Sequence, residues 1–339
     1  MPVEIIAEIA QGYEGDPGLG RLLTRAAARA EADAVKCQVV YADELATEDY
    51  QYFGLFRKLE MPDAAWQAMR ELAREEGLAF YLDVFGHASL ALAERLAVEA
   101  VGIHSTDLLN TRLLAAVERS TIPRVFLGVG GAMVTEVDEA LALLKGKAVV
   151  LIHGFQAYPT QNGDNQIARI GFLRRHCEAK GYRQVTFGFG DHVPKDDALR
   201  LYLAGVAIGQ GAAVIEKHLT LASTLCLEDH EAAVNPDEFR VFANAMRVFA
   251  EALGEVKEEE LLLGMSEGEQ RYRRLTRKHV VADCPIKMGH RIDAAMLTLK
   301  RSPAPEAVND LQRVIGRVAR QDMGKNQPIT SHCVEEACR

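Results

Sequence analysis

The chain reads as an α/β protein: a closed (β/α)8 barrel of the TIM type followed by a small C-terminal domain. Three observations predict this. Short apolar or β-branched runs alternate eight times with amphipathic stretches, at about 30 residues per unit. No GxGxxG turn follows the first run, which counts against the rival fold, a doubly wound open sheet. Beyond Arg273 the pattern changes to short strands and turns.

The eight strands are expected at Glu4–Ile9, Ala34–Val39, Ala79–Val84, Ala100–His104, Val125–Gly128, Ala148–His153, Gln184–Gly188 and Val214–His218. A helix after the first strand ends near Ala32, and Asp63 opens one that runs to Glu76. Others start at Ser89, Asn110, Val134, Ile167 and Lys195, and Asp237–Leu253 closes the barrel. A long connection, Tyr41–Pro62, holds Tyr50, Tyr52, Phe53 and Phe56 and is expected to cover the site or to pack at a dimer contact. The barrel domain is placed at 1–255, a polar linker at 256–272 and the C-terminal domain at 273–339. Within that domain Ile286–Ile292 and Met323–Ile329 look alike, each with two apolar residues six apart around a turn, which suggests internal pseudo-symmetry.

Bulk properties exclude several functions. The formal net charge of −9 argues against non-specific nucleic-acid or anionic-membrane binding. No apolar run approaches the roughly 20 residues of a membrane span. The start, Met1-Pro2-Val3-Glu4, has no signal-peptide pattern, so a cytoplasmic location is expected. The six cysteines form no CxxC pair and are read as reduced thiols.

Chemistry in such a barrel sits where the strands end. Those ends are polar here: Glu8, Lys36 with Gln38, His104 with Ser105, His153 leading to Gln156 and Tyr158, Asp191-His192, and Glu216-Lys217-His218. Burying each ion costs several kcal/mol unless it is paired, so charges at most strand ends indicate a site rather than a scaffold. His192 and His218 close adjacent strands, and imidazole suits Mn²⁺, Zn²⁺ or Fe²⁺. Two ligands leave positions open for water and substrate. Glu216 shares a face with His218 and is read as an acid, a base or the holder of a metal-bound water. His153, His176 and His279 are read as structural.

These residues resemble the N-acetylneuraminate (sialic acid) synthases over nearly the whole chain. The resemblance is carried by Ile5-Ile6-Ala7-Glu8-Ile9, Lys36-Cys37-Gln38, Phe56-Arg57-Lys58-Leu59-Glu60, Tyr158-Pro159-Thr160, Gly188-Phe189-Gly190-Asp191-His192, Ile215-Glu216-Lys217-His218 and Asp229-His230. Leu299-Lys300-Arg301-Ser302-Pro303 resembles the signature of the family's antifreeze-like (SAF) domain. The resemblance implies a condensation of phosphoenolpyruvate with the open-chain aldehyde of an N-acyl hexosamine, N-acetylmannosamine or a relative. The products would be a nine-carbon 2-keto sugar acid and phosphate. It also implies a divalent metal, usually Mn²⁺, on His192 and His218, and a domain-swapped homodimer. Glu8, Lys36 and Glu216 become the catalytic residues. Gln38, His104, Ser105, Gln156, Tyr158 and Asp229 become substrate contacts, with Arg301 supplied by the other subunit.

The departures from the family pattern cluster where that family holds its donor: Asp83, Gly102, Gly128, Gln156 and Gly190. Three expectations follow. Phosphoenolpyruvate is held differently, by His104 and by backbone N–H groups of Gly128, Gly130 and Gly131. Alternatively the enzyme is a metal-dependent aldolase or lyase with a non-phosphorylated donor. In the third, the chain is a non-catalytic binder of sugars or partners.

Overall fold

A parallel strand pair needs a crossover, and a run of such units closes when the last strand meets the first. The computed structural model describes residues 2–254, 264–304 and 306–335. Its strands β1 (Glu4–Ala10), β2 (Ala34–Gln38), β3 (Ala79–Asp83), β4 (Ala100–Ile103), β5 (Arg124–Gly128), β6 (Ala148–Gly154), β7 (Val185–Asp191) and β8 (Val214–His218) form a closed barrel in that order. Closure comes through β1 and β8, with Ile6 opposite Glu216 and Glu8 opposite His218.

Alternation along each strand sorts the side chains into two cores. Ile6, Ala34, Ala100, Phe126, Val150, Ile152 and Val214 fill the barrel interior. Ile5, Ala7, Val35, Leu82, Leu127, Leu151 and Ile215 face outward to the helices. The N-terminal end of the barrel is shut by Arg124, whose Nη2 lies 2.6 Å from Glu4 Oε2, and by the Tyr81 hydroxyl on Glu4 Oε1. That leaves the other end as the open mouth.

The helices are α1 (Pro17–Arg29), α4 (Asp63–Glu75), α5 (His87–Arg95), α6 (Thr111–Arg119), α7 (Val134–Leu143), α8 (Ala168–Lys180), α9 (Gly205–Gly209) and α10 (Pro236–Leu253). Asp16 caps α1 by accepting from Gly18 N at 2.7 Å, and Asn235 caps α10 in a capping box with Glu238. Gly15, at φ +73°, makes the sharp entry to α1, and a Cβ there would meet Lys58 O at 2.1 Å.

Two expectations change. The 41–62 connection is not one loop: it holds α2 (Ala42–Leu45) and α3 (Phe53–Leu59). Arg57 fastens them through Asp43 and Glu60, and Glu44 reaches across to the first turn of α5, accepting from Ala88 N and Ser89 N. Glu44 fits because Gly86 has no side chain; a Cβ there would lie 2.3 Å from Glu44 Cδ. The helix expected from Lys195 is confined to α9. Asp197 accepts from Leu199 N at 2.6 Å, taking an amide that a helix would use, and the segment up to Ala204 stays in turns.

Contacts divide the chain into units 1–254 and 255–339. Residues 256–263 of the expected linker lie outside the described residues, as does Cys338. The remainder of that linker is not irregular: α11 (Glu267–Thr276), capped by Ser266, begins inside it. In the second unit β9 (Lys278–Ala282) pairs antiparallel with β10 (Leu297–Arg301) over a core of Val280, Ile286, Ile292, Val314, Met323 and Ile329. The two look-alike stretches meet there, Ile286 and Met323 exchanging both backbone hydrogen bonds at 2.8 Å. Among the described residues no helix is long and apolar enough to cross a membrane.

Replacing the α1 cap, Asp16→Ala, should cost about 1 kcal/mol of stability, and Asp16→Asn should restore most of it; urea denaturation reads both.

Candidate active site

The inward positions at the strand ends converge on one cavity. It is lined by Glu8, Lys36, Gln38, Asp83, Ile103, His104, Ser105, Phe126, Gly128, Ile152, Gly154, Phe155, Tyr158, His192, Glu216, His218 and Asp229. Eleven of the twelve residues expected at the site lie in the barrel unit, and ten of these line the cavity: Glu8, Lys36, Gln38, His104, Ser105, Tyr158, His192, Glu216, His218 and Asp229.

The exception in the barrel is Gln156. Phe155, at φ +61°, turns the chain so that its own ring faces the mouth, and the Gln156 amide lies 3.0 Å from His153 Nε2. His153 in turn contacts Asn165 O at 2.8 Å, a structural role as expected. Gly130 and Gly131 are absent from the lining, so of the three glycines only Gly128 is placed to face a ligand. Arg301 belongs to the second unit. It lines a cavity there with Arg273, Arg274, Arg277, His279, Ser302 and Asn309.

Lys36 is the electrostatic centre. Its Nζ lies 2.8 Å from Glu8 Oε2, 2.9 Å from Glu216 Oε1 and 3.4 Å from Asp83 Oδ1. Burial works against the ammonium, but Asp83, Glu216 and Glu8 outweigh it and hold Lys36 charged well above its usual range. Burial also raises Glu8 and Glu216, with the neighbouring carboxylates adding and Lys36 opposing. Asp229, at φ +64°, is pushed up to about 6 by burial, against the Gln11 N–H that bonds it. The Tyr158 hydroxyl donates to the Asp229 carbonyl, holding the two together.

The ring centres of His192 and His218 are 5.2 Å apart, with Tyr158 5.4 and 5.5 Å from them. Burial lowers His192 to about 3 and His218 well below its ordinary value, helped by the charges of Lys217 and Lys36. Both rings are therefore neutral, the state that ligates. A cation about 2.1 Å from each nitrogen lies roughly 3.2 Å from each ring centre, so two ligands at about 90–110° put the centres about 4.5–5.2 Å apart. The observed spacing fits. Among the described residues no group of three or more His, Cys, Asp or Glu is placed to hold an ion. A cation here would take two protein ligands and leave its other positions to water and substrate. His192 Nδ1 accepts from Phe155 N at 3.1 Å. Ligation through Nε2 requires the ring proton on Nδ1, and so the release of that contact.

Two features escaped the sequence reading. Phe155 forms an aromatic wall with His104, 4.6 Å between ring centres, and nothing in its sequence context marks it. Behind the histidines, Lys217 and Asp191 form an ion pair at 3.1 Å with both side chains fully buried. Alternation gives the signal for this one: Lys217 lies between inward Glu216 and His218, so it must point outward and find a partner. The pair braces β7 to β8 at the positions that carry the two imidazoles.

A closed parallel barrel whose mouth gathers neutral imidazoles, paired carboxylates and one lysine defines a class, the (β/α)8 proteins with a polar, cation-compatible site at the strand ends. The chain belongs to the NeuB family, whose model matches residues 23–258, and residues 277–335 match the SAF domain. It is 26% identical to the N,N'-diacetyllegionaminic acid synthase of Campylobacter jejuni over 345 residues, covering 96% of this chain and 98% of that one. It is 24% identical to the N-acetylneuraminate-9-phosphate synthase of Mus musculus, covering 98% and 94%. Among solved structures it resembles the N-acetylneuraminic acid synthetase of Leptospira borgpetersenii in complex with citrate, at TM-score 0.71 and 27% identity, covering 80% of this chain and 92% of that one.

Lys217→Met should cost about 3–5 kcal/mol because it strands a buried carboxylate, while the double change with Asp191→Asn should cost distinctly less. Denaturant unfolding of the two variants measures the difference.

Proposed function

We propose that this chain is a metal-dependent, carbon–carbon bond-forming sugar-acid synthase. It joins a three-carbon donor to the open-chain aldehyde of an N-acyl hexosamine, N-acetylmannosamine or a relative. The observation that carries this reading is the pair of neutral imidazoles, 5.2 Å apart, beside the Glu8–Lys36–Glu216 cluster. The names of the relatives, synthases of N-acylated sugar acids, agree with it.

His192 and His218 would hold the cation, Mn²⁺ in this reading, which supplies Lewis-acid polarisation of the aldehyde oxygen. The chain's own residues do the rest. Glu8 and Glu216, both raised by burial, are placed to hold and pass protons at the reacting end. Asp229 and Tyr158, which line the same cavity, would receive the sugar hydroxyls, and Gln38, bonded to Gln11 Nε2 at 2.9 Å, presents a fixed amide. Phe155 and His104, with ring centres 4.6 Å apart, offer an aromatic surface on which the substrate can pack. Arg301 of a second copy would reach the N-acyl group in a domain-swapped homodimer.

The donor has two readings. Phosphoenolpyruvate, the donor implied by the resemblance, would release phosphate. A donor without phosphate makes the enzyme an aldolase; this reading is favoured by Asp83, which adds a carboxylate beside Lys36.

The reading is tested with Mn²⁺, N-acyl hexosamines and donors of both kinds, following phosphate release and new 2-keto or hydroxyketone products. Product from neither donor class across a broad sugar panel would sink it. His192→Ala and His218→Ala should each lower Mn²⁺ affinity at least tenfold by calorimetry and reduce turnover by at least a hundredfold. Acceptor binding should weaken as pH falls through about 6, where Asp229 gains its proton and loses its charge, and Asp229→Asn should flatten that limb. Acceptor KM measured between pH 5 and 8 reads both.

A further inference from the structure

Gln38 is held at both ends by the connection that follows β1. The ladder between β1 and β2 slips between Glu8 and Ala10, and Ala10, at φ +50°, turns the chain so that the next residues reach the end of β2. Buried Tyr13 donates its hydroxyl to the Gln38 carbonyl oxygen at 3.0 Å. Gln11 Nε2 donates to Gln38 Oε1 at 2.9 Å. The backbone N–H of the same Gln11 is directed at Asp229 Oδ2, 3.4 Å away. Gln38 and Asp229 both line the cavity, and Gln11 stands behind them, outside its lining.

Tyr13 already ties this connection to the main chain of β2, so the bond between the two amides is not needed to join them. What that bond decides is direction. An amide side chain has an oxygen that accepts and an NH2 that donates. With Oε1 turned to Gln11, the NH2 of Gln38 is the end left for a ligand. The Asp229 carboxylate, tied to the same residue, favours this orientation, because a side-chain amide turns its N–H end toward negative charge. The two lining groups are thereby opposite in kind: ionised Asp229 only accepts, and the Gln38 NH2 only donates.

We propose that Gln11 is a positioning residue for the acceptor: it locks the Gln38 amide with its NH2 toward the cavity, so that Gln38 and Asp229 together recognise a sugar oxygen that accepts and a hydroxyl that donates. The inference rests on the barrel mouth being the acceptor site. Neighbouring hydroxyls of an open-chain hexosamine supply both partners, one oxygen accepting from Gln38 while the other hydroxyl donates to Asp229. Gln11 acts only through these two residues. An amide released from Gln11 would present its wrong end part of the time. An amide reversed outright would set its oxygen against a sugar oxygen, with Asp229 as a second acceptor beside it. Either change falls on acceptor affinity and leaves the paired imidazoles and the ion pairs of Lys36 in place.

The test measures binding of N-acetylmannosamine and related N-acyl hexosamines to the Mn²⁺-loaded full chain by ligand-observed NMR. The proteins compared are the unaltered chain, Gln11→Leu, Gln11→Glu, Gln38→Leu and the double variant Gln11→Leu with Gln38→Leu. Gln11→Leu releases the amide and should weaken sugar binding about fivefold. Gln11→Glu draws the Gln38 NH2 away from the cavity and should weaken it further, by about tenfold or more. Gln11→Leu should add nothing on the Gln38→Leu background, because one residue acts through the other. Mn²⁺ affinity should stay unchanged in all of them, and where turnover is found acceptor KM should follow the same order with kcat preserved. Equal sugar affinity in the unaltered and Gln11 proteins, additive losses in the double variant, or loss of Mn²⁺ affinity in the Gln11 variants overturns the proposal. Failure of the broader reading is separable: sugar binding that shows these differences but yields no product removes the synthase and keeps the role of Gln11. Normal turnover in both Gln11 variants does the reverse, and absence of any sugar binding to the unaltered chain removes both.

Discussion

A lysine ammonium held among three carboxylates at the mouth of the barrel is the constraint on which this site depends. Buried charge survives only where it is paired, so Glu8, Lys36, Asp83 and Glu216 fix one another's positions across four strands. The closed register makes that possible: Glu8 lies opposite Lys36 on one side and opposite His218 on the other. The network thereby links the buried carboxylates to the pair of imidazoles through neighbouring strands. The charged cluster of the cavity is built on strand ends, while Phe155, Tyr158 and Asp229 come from the connections that follow β6 and β8.

The outward-facing side of the same strands carries a second pairing. Lys217 and Asp191 neutralise each other behind His218 and His192. Polar residues thus alternate between two tasks along β8: Glu216 and His218 face the cavity, and Lys217 holds β8 to β7. The cation-compatible spacing of the histidines is maintained from behind by an ion pair that no ligand reaches.

Much of this was legible in the sequence, for physical reasons. Strand alternation put Glu8, Lys36, Glu216 and His218 on the inner face, and runs of β-branched residues located the eight strands. What escaped depends on local conformations that composition does not specify. The left-handed turn at Phe155 exchanged the expected Gln156 for a phenyl ring. A side chain at Asp197 ended a helix that apolar spacing favoured. The extension of β7 beyond Gly188, through Gly190 to Asp191, was hidden because glycine carries no strand signal, although the closed ladder sustains it. The approach of Asp83 over Gly102, where a Cβ would lie 1.7 Å from Asp83 Oδ1, required coordinates, since each residue alone reads as a simple loss of a familiar one.

The insertion of Glu44 into the space left by Gly86 has a consequence for how this molecule can vary. The carboxylate serves the open amides of α5 from a segment more than forty residues upstream. A larger residue at 86 would evict it, and a shorter one at 44 would leave those amides bare. The two positions are therefore free to drift only in concert, and the segment that α2 and α3 stiffen is tethered beside the entrance at a point chosen by an absent methyl group.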